Sequence, residues 1–132
     1  MSDAFDVVIA GGAVQGSSLA YHLLADPGFT GRVLAVEKDF TYANAASTLS
    51  ASSIRQQFSS AININVSLYG IEFLRRGREI LAVDGDAPDL TVREGGYLYL
   101  ATEAGAPVLR ENNALQRALG ADTTLLTPDE LK

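Results

Sequence analysis

Five residues near the start of the chain have the types and spacing to hold a phosphate and a sugar. Gly11, Ala13 and Gly16 fall on the frame G-x-G-x-x-G, with alanine in the second place and Gly12 in a variable slot. In that frame the first glycine makes a tight turn and the second lets the backbone close on a pyrophosphate. The third lets a helix pack tightly on a strand. Alanine adds one methyl at the point of closest approach and should still suit a helix start. It should weaken phosphate contact by about 1 kcal/mol rather than abolish it. Glu37 lies 21 residues beyond Gly16, where an acid accepts hydrogen bonds from a ribose 2′-hydroxyl and disfavours a 2′-phosphate. An ordinary strand-to-helix turn beside a solvated acid would use the same residues, but the agreement of spacing with context favours a dinucleotide site.

The elements around these residues are those that such a site needs. "FDVVIA" (5–10) is a short β-branched run stopped by Gly11-Gly12, which predicts a buried strand. From 13 to 25 the period changes to that of a helix, with Gly16, Ala20, Leu23 and Leu24 on one face. "DPGFTG" (26–31) is a loop, and "RVLAVE" (32–37) is a second strand ending in the acid. This strand, turn, helix, strand order predicts parallel strands joined by a right-handed crossover. Further on, the spacing predicts a helix over 61–81 with Ser59 or Ser60 as its cap, a loop at 83–89 and a strand at 95–101. A helix over 103–119 should end at Gly120, followed by a short strand at 123–126. A capping box at Thr127 and Glu130 should then open a last helix. A helix opened by 127–130 with only two residues left after it makes the sequence look cut rather than finished.

Bulk properties narrow the class. The 132 residues suit one domain, and 47% hydrophobic with 20% charged residues is a globular balance. The net charge of −6, from 16 acids and 10 bases, excludes a basic nucleic-acid surface. Cysteine is absent, which removes disulfides, thiolate metal sites and a cysteine-tethered cofactor. No apolar run is long enough to span a membrane, and the acidic start "MSDAFD" lacks a secretory signal, so a cytoplasmic protein is expected. His22, the one histidine, is expected to be a partly exposed helix residue. Asp84, Asp86, Asp129 and Glu130 are expected to serve solvation and capping rather than metal binding.

"FDVVIAGGAVQGSSLAYHLL", "RVLAVEK", "STLSASSIRQQFS", "REGGYLYLA" and "LLTPDEL" together cover essentially the whole chain. They resemble the N-terminal portion of the FAD-dependent oxidoreductases related to D-amino-acid oxidase, sarcosine oxidase and dimethylglycine dehydrogenase. The resemblance implies an α/β fold: a Rossmann-like βαβ FAD-binding unit with an incomplete parallel sheet, plus the beginning of a substrate domain. It divides the chain at 1–82 and 83–132. It implies that Gly11, Gly12, Ala13 and Gly16 hold the pyrophosphate and that Glu37, with Lys38 beside it, takes the adenosine ribose. Ser47, Thr48 and Ser50 would offer hydroxyls along the phosphates, and Arg55 would bring its charge to the flavin or the phosphates. Where the family attaches flavin through a histidine, Ala51 and Ser52 stand here, so FAD should be non-covalent.

The function so implied is oxidation of a C–N bond of an amine or amino acid by hydride transfer to flavin. The substrate pocket and catalytic residues would lie largely in sequence beyond this chain, so the 132 residues alone should turn over negligibly. A stand-alone nucleotide-binding or interaction module is the alternative, as is one subunit of a split flavoenzyme whose fold a second chain completes. An NAD-dependent dehydrogenase fragment is a weaker third, against which Glu37-Lys38 and "SIRQQFS" count by resemblance.

Overall fold

The computed structural model describes residues 4–132. The chain forms two compact units, Met1–Ser53 and Ile54–Lys132. This division by packing falls earlier than the 82/83 division by ancestry that the resemblance implies.

The first unit is the expected βαβ arrangement. Strand β1 (Val7–Ala10), helix α1 (Val14–Ala25) and strand β2 (Val33–Val36) follow one another. The strands are parallel, with Val7 opposite Val33 and Ala10 opposite Val36. The Gly11 N–H extends the ladder by donating to the Val36 carbonyl at 2.8 Å. Ile9, buried, faces α1 across Gly16. Only that side of the sheet is covered: Val8 is 61% exposed and Val36 51%. Parallel strands are ordinarily buried on both faces, whereas these side chains leave apolar surface open. Leu24, expected on the packed face of α1, is instead exposed. The loop before β2 is tied back to the strand entry, where Asp6 Oδ2 accepts from the Arg32 N–H at 2.7 Å and the Arg32 guanidinium lies over Phe5.

The second unit carries α2 (Ala61–Arg75), the short α3 (Gly77–Ile80) and α4 (Ala106–Ala118). The single helix expected over 61–81 is interrupted at Arg76 (φ −93°, ψ 1°). Gly77 follows, so close to Leu90 that a Cβ there would stand 2.2 Å from Leu90 Cδ1. Ser60 occupies the cap position of α2, but its hydroxyl makes no cap bond. The end of α4 is as the sequence predicts: Gly120 has φ +92° and donates to the Arg117 carbonyl, while the buried Ala121 donates to that of Gln116. This is the paired bonding of a Schellman motif. The loop at 83–86 closes as a tight turn, with Val83 and Asp86 exchanging both backbone bonds across Asp84 and Gly85, each at positive φ. That is the chemistry of an Asp-Gly hairpin turn.

Three expected elements do not form. Residues 95–101 and 123–126 are not strands, and 127–131 is a turn rather than a helix. A strand exists only when a neighbour supplies a ladder. Here the Tyr97 carbonyl accepts from the Gln57 side chain instead. The alternation survives without the ladder, since the Tyr97 and Tyr99 rings stack with centroids 5.6 Å apart. The capping box likewise forms without its helix: Glu130 Oε2 accepts from the N–H and hydroxyl of Thr127 at 2.7 and 2.8 Å. Among the described residues no helix is long and apolar enough to cross a membrane.

Candidate functional site

The C-terminal ends of β1 and β2 open into a cleft of about 510 Å³, lined by Ala10, Gly11, Ala13, Val36, Glu37, Lys38, Asp39, Tyr42, Asn44 and Ala45. In open α/β sheets, ligands bind in the crevice beyond the carboxyl ends of the strands.

Local chemistry explains how the turn is built. Gly11 sits at φ +103°, a conformation that L side chains rarely adopt, and so turns the chain from strand to helix. Gly16 is required by contact rather than by dihedral angle. A Cβ on it would stand 1.8 Å from the Gly11 carbonyl oxygen, so only glycine lets α1 approach the end of β1. Ala13 is the residue before the helix, with φ −67° and ψ −173°. It is therefore extended, not helical as its place at the start of the helix predicts. Alanine is tolerated there because its φ is negative. Gly12 is also more constrained than a variable slot, since a Cβ would be pinched 3.2 Å from Glu37 Cβ and 3.4 Å from the Tyr42 hydroxyl.

Helix α1 begins without a side-chain cap and without an acid in its first turn. The first N–H groups of a helix have no partner within it and carry the positive end of its dipole, which suits a phosphate. Lys38, exposed on the cleft wall, adds a cation.

Glu37 joins the two halves of the cleft. Its Oε2 accepts from the Gly12 N–H at 2.7 Å and its Oε1 from the Asp39 N–H at 2.9 Å. The Asp39 and Gly12 N–H groups hold its carboxyl below its ordinary value, against the opposing effect of partial desolvation. The acid is thus ionised at neutral pH. An ionised carboxylate has about four acceptor positions, so Glu37 keeps lone pairs for further donors in the cleft. Asp39 is also lowered, chiefly by the Thr41 hydroxyl and then by the Thr41 N–H.

The remaining candidates lie elsewhere. Ser47, Thr48 and Ser50 belong to the loop after the cleft and do not line it. Ser50 Oγ donates to the Ser47 carbonyl at 2.8 Å and accepts from the Ser52 N–H at 3.1 Å, so it organises the loop itself. Arg55 belongs to the second unit, where it donates to the Tyr99 hydroxyl and lies about 5.0 Å from the Phe58 ring centroid. His22 Nδ1 donates to the Ser18 carbonyl at 2.8 Å on the exposed side of α1. Asp39, Tyr42, Asn44 and Ala45 also line the cleft, outside the glycine-and-acid pattern. Asp39 and Thr41 two residues apart are an Asx-turn signal that could have indicated a fixed loop beside Glu37.

A family model described as FAD dependent oxidoreductase (DAO) matches residues 6–132. The chain is 47% identical over 130 residues to FAD-dependent oxidoreductase domain-containing protein 1 of Xenopus laevis, and 48% identical over 130 residues to that of Bos taurus. It is 41% identical over 126 residues to the Drosophila melanogaster homolog. Each match covers 96% of this chain but only 24–27% of the relative, so the chain spans about a quarter of the length of the proteins it resembles. No solved structure matches it.

Proposed function

Because this chain belongs to the FAD-dependent oxidoreductase (DAO) family, we propose that its first unit holds the adenosine and pyrophosphate end of FAD within a longer flavoenzyme. One observation carries the assignment: the Gly12–Glu37 hydrogen bond closes a cleft whose opposite walls are the phosphate-type turn and the ribose-type acid. Gly11 and Gly16 shape the turn. The uncapped start of α1 and Lys38 face the phosphates with positive charge. Glu37 uses its remaining lone pairs on the ribose, and its charge disfavours a 2′-phosphate.

FAD, when bound, supplies a hydride acceptor, and by family likeness the complete protein uses it to oxidise a C–N bond of an amine or amino acid. Attachment is non-covalent in this region. His22 is engaged on α1, cysteine is absent, and Ala51 and Ser52 are not attachment chemistry. The open apolar surface at Val8 and Val36 supports completion of the sheet by further chain, in the same polypeptide or in a second one. Ser47, Thr48, Ser50 and Arg55 remain proposed FAD contacts that depend on that completion.

The test is calorimetric titration of the purified chain with ADP and with FAD, followed by denaturation and intact-mass measurement. Binding of both ligands, with flavin released on denaturation and no added mass, is the expected result. Binding of neither would refute the nucleotide assignment, and flavin mass retained after denaturation would refute non-covalent attachment.

A further inference from the structure

Tyr42 stands at φ +54°, which a bulky residue adopts only where its surroundings hold it. The restraints are explicit. Asp39 Oδ1 accepts from the N–H and the hydroxyl of Thr41 at 3.0 and 2.6 Å, and the Tyr42 N–H donates to the Asp39 carbonyl at 3.0 Å. Asp39 is itself tied to Glu37. The chain of bonds runs from the phosphate turn through Glu37 and Asp39 to Tyr42. The phenol then returns to Gly12, where its hydroxyl would lie 3.4 Å from an added Cβ. A strained tyrosine is thereby fixed between the acid and the turn.

The cleft it lines combines the polar Glu37, Lys38, Asp39 and Asn44 with the small or aliphatic Ala10, Ala13, Val36 and Ala45, and Tyr42 is its one ring. A slot with a single aromatic wall, beside an acid suited to a ribose, has the chemistry for the flat base joined to that ribose. We propose that Tyr42 positions the adenine of the bound nucleotide by stacking its ring on the base. This rests on the nucleotide-binding reading above and adds to it a residue outside the glycine-and-acid pattern. Base-on-aromatic stacking makes a loss of roughly tenfold in affinity the expected effect of removing the ring.

The experiment titrates the full chain and two variants with ADP by calorimetry. Tyr42→Phe keeps the ring, whereas Tyr42→Leu keeps apolar volume without it. The Phe variant should bind within about twofold of wild type and the Leu variant about tenfold more weakly. Equal affinities for Phe and Leu would mean that the position only fills space, and the stacking proposal would fail. A second readout does not depend on the Leu variant folding. The chain has five tyrosines and no tryptophan, so its ultraviolet emission is tyrosine emission. ADP should quench part of that emission in wild type and leave the emission of Tyr42→Phe unchanged, although that variant still binds. Equal quenching in both would overturn the proposal while leaving nucleotide binding intact. Absence of ADP binding by wild type would overturn both.

Discussion

Two glycine-to-alanine changes, both inside helices, should move stability in opposite directions. At Gly16 the new Cβ would meet the Gly11 carbonyl oxygen at 1.8 Å and Ile9 Cγ2 at 3.1 Å. Non-bonded contacts are optimal near 3.5–4.0 Å, so α1 and the turn must separate by about 2 Å. The obstructing atom is backbone, and Gly11 is already anchored through its N–H to Val36, so no side chain can swing away to relieve the contact. Overpacking of this kind costs about 1–3 kcal/mol, whereas the gain in helix propensity is at most about 1 kcal/mol. The clash wins, by up to about 2 kcal/mol. At Gly70, inside α2, an added Cβ meets nothing within 4 Å, and the propensity gain of up to about 1 kcal/mol stands alone. Urea unfolding followed by far-ultraviolet circular dichroism measures both. With a slope of about 1–3 kcal/mol/M, Gly16→Ala should lower the midpoint by about 1 M and Gly70→Ala should raise it by less. Gly16→Ala should also weaken ADP binding, because the turn moves with the helix. If Gly16→Ala matched wild type in both midpoint and ADP affinity, the close-approach argument would be wrong.

Glu37→Gln should weaken ADP binding on the order of tenfold, the scale of a hydrogen bond to a charged group, as read by calorimetry. Its pH dependence has a definite sign: a carboxyl lowered in the folded state contributes stability above its ordinary value, and that contribution is lost as pH falls through the lower folded value. The difference in urea midpoint between wild type and Glu37→Gln should therefore be constant from neutral pH to about pH 5 and shrink below about pH 4. In the second unit, Gln116 is buried and its Nε2 donates to the Phe58 carbonyl at 2.9 Å. Gln116→Leu leaves that carbonyl without this donor and should cost about 1–3 kcal/mol in the same unfolding assay. Arg75 and Glu94 make a two-point pair at 2.8 and 2.7 Å, but both side chains are about half exposed. Their coupling in a double-mutant cycle should be small and should vanish in about 1 M salt, where screening acts within roughly 3 Å.

The βαβ unit and its glycine turn were legible because their determinants are local. A β-branched run, a glycine that must take positive φ at position 11 and a glycine that must clear a carbonyl at position 16 lie within ten residues of one another. The Gly120 stop of α4 was legible for the same reason. Backbone geometry dictates the residue type there, whatever packs nearby. Tyr97 and Tyr99 alternate as in a strand, but their segment has no partner to complete a ladder, and Thr127 and Glu130 cap a turn that no helix continues. Alternation and capping are permissions, and only neighbouring backbone turns them into elements. The extended backbone of Ala13, the pinching of Gly12 and the aromatic wall at Tyr42 depend on β2 and its loop returning to the glycine turn. Sequence alone thus determined which residues turn the chain from strand to helix and which acid ends the second strand. Tertiary structure alone decided what walls the cleft, because residues such as Gly12 and Glu37, 25 positions apart, meet only when the two strands pair.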